Sequence, residues 1–356
     1  MTELTQILKD LISLPGLSGN ETPVREVITE IWRPYVDEFS VSRLGSLHGL
    51  KKGSGVEPRP RLLLAAHMDA IGLMVTTLEQ GLIHFTRIGG VDHRILPGQL
   101  VTVHGRQELK GVVVQPADRL LPSSAAGKPV KMEYLFVDVG LSQAEVERLV
   151  RTGDLISFAQ QPLELSGETL SGHSLDNRAS IAALTYALQE LSHMQPAWDT
   201  YFVATVQEEE TLAGGLTSPF EIRPDMAIAV DVTHAKGPGV NDYRGFGLGK
   251  GPVLGMGPNI HPAIFAAFKS LSERLDIPTQ IEVMPSHSGT DAYAIQIVGE
   301  GIPSMVVSIP LRYMHTPVEL VSIKDIQRTG RLLAEFIARL EPDFISKIRW
   351  DDKTDD

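Results

Sequence analysis

Cysteine is absent from the 356 residues, which excludes disulfides, thiolate metal sites and a cysteine nucleophile. Long apolar runs are missing too, and no stretch reaches the roughly 18 uninterrupted apolar residues of a bilayer span. The opening "MTELTQILKDLISLPGLSGNE" carries acidic residues where a signal peptide is basic, and it has no extended apolar segment. The chain therefore reads as cytoplasmic. Basic residues are outnumbered, 32 Lys and Arg against 44 Asp and Glu, for a formal net charge of −12. That balance argues against a nucleic-acid backbone or an anionic membrane as main partner. The stretch "GKGPVLGMG" lacks the G-x-x-x-x-G-K-[ST] spacing of a phosphate loop, so it gives no nucleotide site.

What is present reads as an ordinary globular chain, 42% apolar and 21% charged, long enough for two domains. Leu4, Ile7, Leu8 and Leu11, then Val24, Val27, Ile28 and Ile31, recur at helical spacing. Thr22 followed by Pro23 is a helix start. "RLLLAA" is a continuous apolar run of the kind found in a strand buried on both faces. From about residue 71 to 163 the texture changes to short strand-like pieces between Gly and Pro turns, interrupted by one helix with a Ser142/Glu145 capping box. "ADRLLPSSAAGKP" within it reads as a mobile surface loop, and the tail "DDKTDD" as disordered. After about 164, helices and strands alternate again. The expected fold is a three-layer α/β/α domain on a mixed, mostly parallel sheet (residues 1–70 and 164–356), interrupted by a small β-rich domain (71–163).

In open α/β sheets, sites gather beyond the carboxyl ends of the strands. His67 and Asp69 follow "LLLAA", Asp176 precedes the helix "ASIAAL", and Glu208 and Glu209 follow "FVATV". Asp231 follows "MAIAV", and His315 follows "MVVSIP". Singly, each has a plain structural explanation: a core histidine, a helix cap, a turn former, a surface residue. Together, two imidazoles and several carboxylates without sulfur suit zinc, cobalt or manganese. Five segments divide better between two ions sharing a carboxylate than around one. Asp69, two residues after His67, would share its face on a regular strand and could accept its second N–H. Glu208 and Glu209 can share a site only if the strand breaks at Gln207, because adjacent strand residues point to opposite faces. Glu210 reads as a solvated acid or a contact for a substrate amino group.

These residues and the segments around them, "AAHMDAIGLMV", "IGGVDHRILPGQLVTVHG", "LDNRAS", "VQEEETLAGG", "AVDVTHA", "SGTDAYAIQ" and "RYMHTPVEL", closely resemble the M42 family of metallo-aminopeptidases. The resemblance covers nearly the whole chain. It implies hydrolysis of the N-terminal residue from peptides with a free amino terminus, using two divalent metal ions per subunit. Asp176 becomes the bridging ligand; His67 and Asp231 complete one metal, Glu209 and His315 the other. Glu208 becomes the general base and Asp69 the support of His67. A cis bond after Asp176 is also implied. So is a dimerisation role for the β-rich insert, with dimers assembling into a tetrahedral dodecamer. One departure stands out: where the family commonly has V-G-L-R-G after its Glu pair, this chain has Glu210, Thr211, Leu212, Ala213 and Gly214. That departure leaves the implied ligands intact and bears on substrate preference and local charge. His93 could approach a neighbouring subunit's site, though a structural role is the plainer reading. Competing readings are a two-metal deacylase or other exopeptidase on the same scaffold and, further off, a metal-free glycosidase.

Overall fold

The computed structural model describes residues 2–122, 127–240, 244–348 and 350. The middle of the expected surface loop, 123–126, and the acidic tail lie outside the described residues. Helices α1 (Thr2–Ile12) and α2 (Thr22–Trp32) open the chain, with Pro23 in the first turn of α2. Strands β1 (Glu38–Val41), β2 (Leu47–Lys51) and β3 (Arg61–His67) follow. The inserted region holds β4 (Gly72–Glu79), β5 (Leu82–Ile88), β6 (Leu100–His104), β7 (Glu108–Val114), β8 (Phe136–Asp138), α3 (Gln143–Leu149) and β9 (Leu155–Phe158). The chain then returns through β10 (Leu163–Leu165), β11 (Thr169–Gly172), α4 (Leu175–Leu191), β12 (Asp199–Thr205), α5 (Glu208–Thr211) and α6 (Ala213–Ile222). It closes with β13 (Met226–His234), β14 (Val253–Met256), α7 (Pro262–Arg274), β15 (Gln280–Val283), α8 (Asp291–Gln296), β16 (Ser304–Arg312), β17 (Glu319–Ser322), α9 (Ile323–Arg339) and α10 (Phe344–Lys347).

Among the described residues, eleven strands form one mixed sheet, ordered β1-β2-β12-β3-β13-β16-β17-β11-β10, with β14 attached to β16 and β15 to β14. Its centre, β12-β3-β13-β16, is parallel, and antiparallel strands flank it. The pleat of β3 shows the three layers directly. Leu62, Leu64 and Ala66 join a core with Ile181, Leu184 and Leu333 from α4 and α9, while Leu63 and Ala65 join one with Ile222 and Ile295 from α6 and α8. Successive side chains of a strand point to opposite faces, so an uninterrupted apolar run is what a strand covered by helices on both sides requires.

Strands β4 to β9 close into a separate barrel with its own core of Leu73, Val75, Val101, Val103, Val137 and Ile156. The capping box of α3 is present, with Glu145 accepting the Ser142 N–H at 2.9 Å. The barrel leaves the sheet immediately after β3 and rejoins it before β10, so it sits beside the end of the central strand that carries His67.

Candidate metal centre

The parallel strands end together, and the polar residues read from the sequence converge there. β3 stops at His67, whose Nε2 lies 3.1 Å from Asp176 Oδ1, 3.7 Å from Glu208 Oε2 and 3.8 Å from Asp231 Oδ1. Asp176 stands where α4 begins, with non-helical backbone at Asp176 and Asn177 and a cis bond between them. Its other oxygen, Oδ2, lies 3.3 Å from His315 Nε2, which is also 3.4 Å from Glu209 Oε2. A single carboxylate thus faces one imidazole with each oxygen. Asp231 lies inside β13 rather than at its end, since that strand continues to His234 alongside β16.

The break that lets Glu208 and Glu209 share a site is explicit. β12 ends at Thr205, Gln207 adopts a left-handed φ of 55°, and one helical turn, α5, follows. On that turn both glutamates reach the same cavity. Asp69 holds it from below, accepting the N–H groups of Glu208 at 3.0 Å and Glu209 at 3.2 Å and the Ser18 hydroxyl at 2.6 Å. It is fully buried, and His67 Nδ1 lies 3.3 Å from its backbone carbonyl oxygen and 3.4 Å from its Oδ1, although β3 has already ended. Asp69 therefore supports the glutamate turn as well as the histidine. The sequence suggested only the second contact.

Glu210 does not line the cavity. It accepts the N–H of Gly89, joining the turn to the segment that follows β5 in the barrel. Here glycine answers a close approach: a Cβ on Gly90 would sit 2.3 Å from His315 Nδ1. His93 opens a short turn capped by Asp92 and is also absent from the cavity lining.

Among the carboxylates not singled out in the sequence, Glu319 and Asp291 lie close to this cluster's supports. Glu319, only 1% exposed, accepts the N–H of Asp176 at 3.1 Å and of His315 at 2.9 Å, fixing two backbones at once. Its position four residues after His315, at the start of a strand, was the available signal. Asp291 is buried and accepts the Thr205 hydroxyl at 2.6 Å. It is so close to α6 that a Cβ on Gly215 would lie 2.4 Å from its Oδ1.

Electrostatically the cluster is short of positive charge. Burial, with the Asp176 carboxylate nearby, pushes both Glu209 and Asp231 up to about 8, and burial drives Glu208 well above the glutamate range. Burial works the same way on Asp176, but His315 and His67 outweigh it and hold that carboxyl well below its usual range. The imidazoles respond in kind: burial opposes charge on His315, and Asp176 and Glu209 overcome it, to about 9. A buried group of acids needs cations. His67, Glu208 and Asp231 place ligand atoms within 4.8 Å of one another, and so do His67, Asp176 and Glu209. Nitrogen and carboxylate oxygen without sulfur fit zinc, cobalt or manganese. The residues present therefore fit divalent ions.

The cavity over this cluster has a volume of about 510 Å³ and is also lined by His287, Ser288, Gly289 and Thr290, the loop read from "SHSGTDA".

Comparison with known proteins identifies the family. The family model described as M42 glutamyl aminopeptidase matches residues 45–332. A lysyl aminopeptidase of Pyrococcus furiosus is 35% identical over 95% of this chain and 97% of its own. The crystal structure of a TET aminopeptidase from a marine-sediment Thaumarchaeota archaeon superposes with a TM-score of 0.91 at 29% identity, covering 97% of this chain and 98% of that one. The TET1 peptidase of Pyrococcus horikoshii, which assembles into a tetrahedron or a large octahedral shell, superposes with a TM-score of 0.82 at 29% identity, covering 95% and 100%.

Proposed function

The chain belongs to the M42 glutamyl aminopeptidase family, and from that membership we propose that it is a cytoplasmic two-metal aminopeptidase removing the N-terminal residue of peptides. The observation that carries the two-metal reading is Asp176, with Oδ1 against His67 and Oδ2 against His315. In this reading Asp176 is shared, His67 and Asp231 hold one ion, and Glu209 and His315 hold the other; zinc or cobalt fits best, with manganese third. When bound, such ions acidify water and stabilise the oxyanion of a hydrolysed amide.

The chain's own residues do the rest. Glu208 accepts the proton of the attacking water and returns it to the leaving amine. Asp69 fixes the backbone of Glu208 through its N–H and orients His67. Glu319 holds Asp176 and His315 in register by their N–H groups. The barrel domain, residues 71–163, serves dimerisation, and dimers build a tetrahedral dodecamer; assembly into a tetrahedron is named for the P. horikoshii relative. Catalytic function then belongs to residues 1–70 and 164–356.

The test is a panel of amino-acid 4-nitroanilides and N-acylated amino acids on metal-stripped enzyme resupplied with zinc, cobalt or manganese. Anilide cleavage restored by metal supports the proposal. Cleavage confined to N-acylated substrates would make the protein a deacylase. Polysaccharide cleavage surviving chelation would make it a glycosidase.

A further inference from the structure

One acid in the cavity has no part in the metal cluster. Glu282 lies on β15, where Ile281 and Val283 are 42% and 71% exposed while Glu282 turns inward to line the cavity. The pleat fixes that orientation, since neighbours on a strand face opposite ways. Across the ladder its partner in register is Gly255, which puts no side chain beside it. The Thr233 side chain hydrogen-bonds the carboxylate, yet Oε2 is buried without a partner. A second buried oxygen without a partner, Ser308 Oγ, belongs to the same lining. No lysine or arginine occurs among the described residues that line the cavity.

We infer that Glu282 makes this cavity select N-terminal residues carrying a cationic side chain, lysine or arginine. A buried carboxylate oxygen left unpaired is costly, and an ammonium or guanidinium group satisfies it with a charge-assisted hydrogen bond. Lysine's three donors match more than one acceptor, and Ser308 Oγ is available as a second. Leu212, Met284 and Met314 supply apolar wall for the methylene stem. An acidic N-terminal side chain would meet like charge, so the preference runs opposite to the glutamyl specificity in the family's description and parallel to the lysyl one in the name of the P. furiosus relative. The inference rests on the aminopeptidase reading and adds the substrate class to it.

The experiment compares kcat/KM for the 4-nitroanilides of lysine, arginine, norleucine and glutamate on metal-reconstituted, full-length enzyme. Norleucine keeps the length of the lysine stem and lacks the charge. Wild type is expected to prefer lysine to norleucine by about tenfold or more. Glu282→Gln, which retains a partner for Thr233, is expected to lower lysine turnover and leave norleucine unchanged. Glu282→Arg is expected to raise glutamate over lysine, and the lysine-to-norleucine ratio of wild type keeps the test available should either variant fold poorly. Equal or better norleucine cleavage by wild type would overturn the inference. So would an equal fall of lysine and norleucine in Glu282→Gln, which would mean that the carboxylate holds the α-ammonium common to all substrates. Failure of wild type to cleave any anilide would sink the aminopeptidase reading and this inference with it.

Discussion

Replacing Glu208 by Gln tests the division of labour inside the acid cluster, because two roles are geometrically open to that carboxylate. Its Oε2 stands 3.7 Å from His67 Nε2, and it forms a ligand-capable trio with His67 and Asp231. As a proton carrier, Glu208 would leave metal binding to the five other residues. As a ligand, it would take an ion with it when changed. Glutamine keeps size, shape and one oxygen acceptor, and the Glu208 N–H that Asp69 holds at 3.0 Å is backbone, so the turn should stay in place. Removing a general base costs on the order of 10²-fold or more in rate, about 3 kcal/mol of transition-state stabilisation. The variant should therefore retain two equivalents of metal per subunit by mass spectrometry, leave KM within a few-fold, and lose kcat by roughly that factor. Loss of one equivalent together with activity would refute the base assignment and make Glu208 a ligand. Retained metal with nearly full kcat would refute both roles.

Asp69→Asn should remove charge-assisted bonds to the Glu208 and Glu209 N–H groups. The expected effects are a loss of about 2 kcal/mol in unfolding free energy for each bond broken and roughly 10- to 100-fold weaker metal binding, read by competition with a chelator. Chelation of the wild type should lower its Tm by at least about 5 °C, reversibly on adding zinc, since ions bound only by the folded state stabilise it by mass action; an unchanged Tm would mean that no ion occupies the cluster. His173 gives a pH signature away from the ligands, because burial and then Arg178 hold it down at about 3. Between that value and an unfolded value near 6.5, the unfolded chain binds the proton and the folded one does not, so stability falls as pH falls through this window. His173→Gln should reduce the loss between pH 7 and pH 5 by about 2 kcal/mol, measured by urea denaturation.

The parallel core of the sheet was legible in the sequence because burial on both faces forces continuous apolar runs, as in β3 and β13. The outer strands were not. β1 and β2 carry Ser40, His48 and Gly49 and bury little on the β1 side, so they lack both the continuous run and the period-two alternation that mark a strand. Helix α6, "AGGLTSPFEI", was hidden for a different reason. Gly214, Gly215 and Pro219 are poor helix formers, but a Cβ on Gly214 would lie 2.6 Å from the Val206 nitrogen. Tertiary close approach decides those residues, and propensity cannot report it.

The site divides along a related line. Residues that could touch an ion, His67, Asp176, Glu208, Glu209, Asp231 and His315, were readable because their chemistry is carried by residue type, and most of them stand at or just beyond the ends of elements. Those that hold them in place act through backbone N–H groups, which every residue but proline possesses and no sequence pattern marks. Glu319 reaches the N–H groups of Asp176 and His315, Asp69 those of Glu208 and Glu209, and Glu21 those of Gly19 and Gln207. Each of these three acids is at most 5% exposed, and each, when ionised, adds negative charge to an environment already short of cations. A fold gains nothing from concentrating so many carboxylates unless positive charge is later supplied. The acids that fix the loops therefore raise the site's demand for divalent ions while they shape it, and positioning and affinity become one design problem in this cluster.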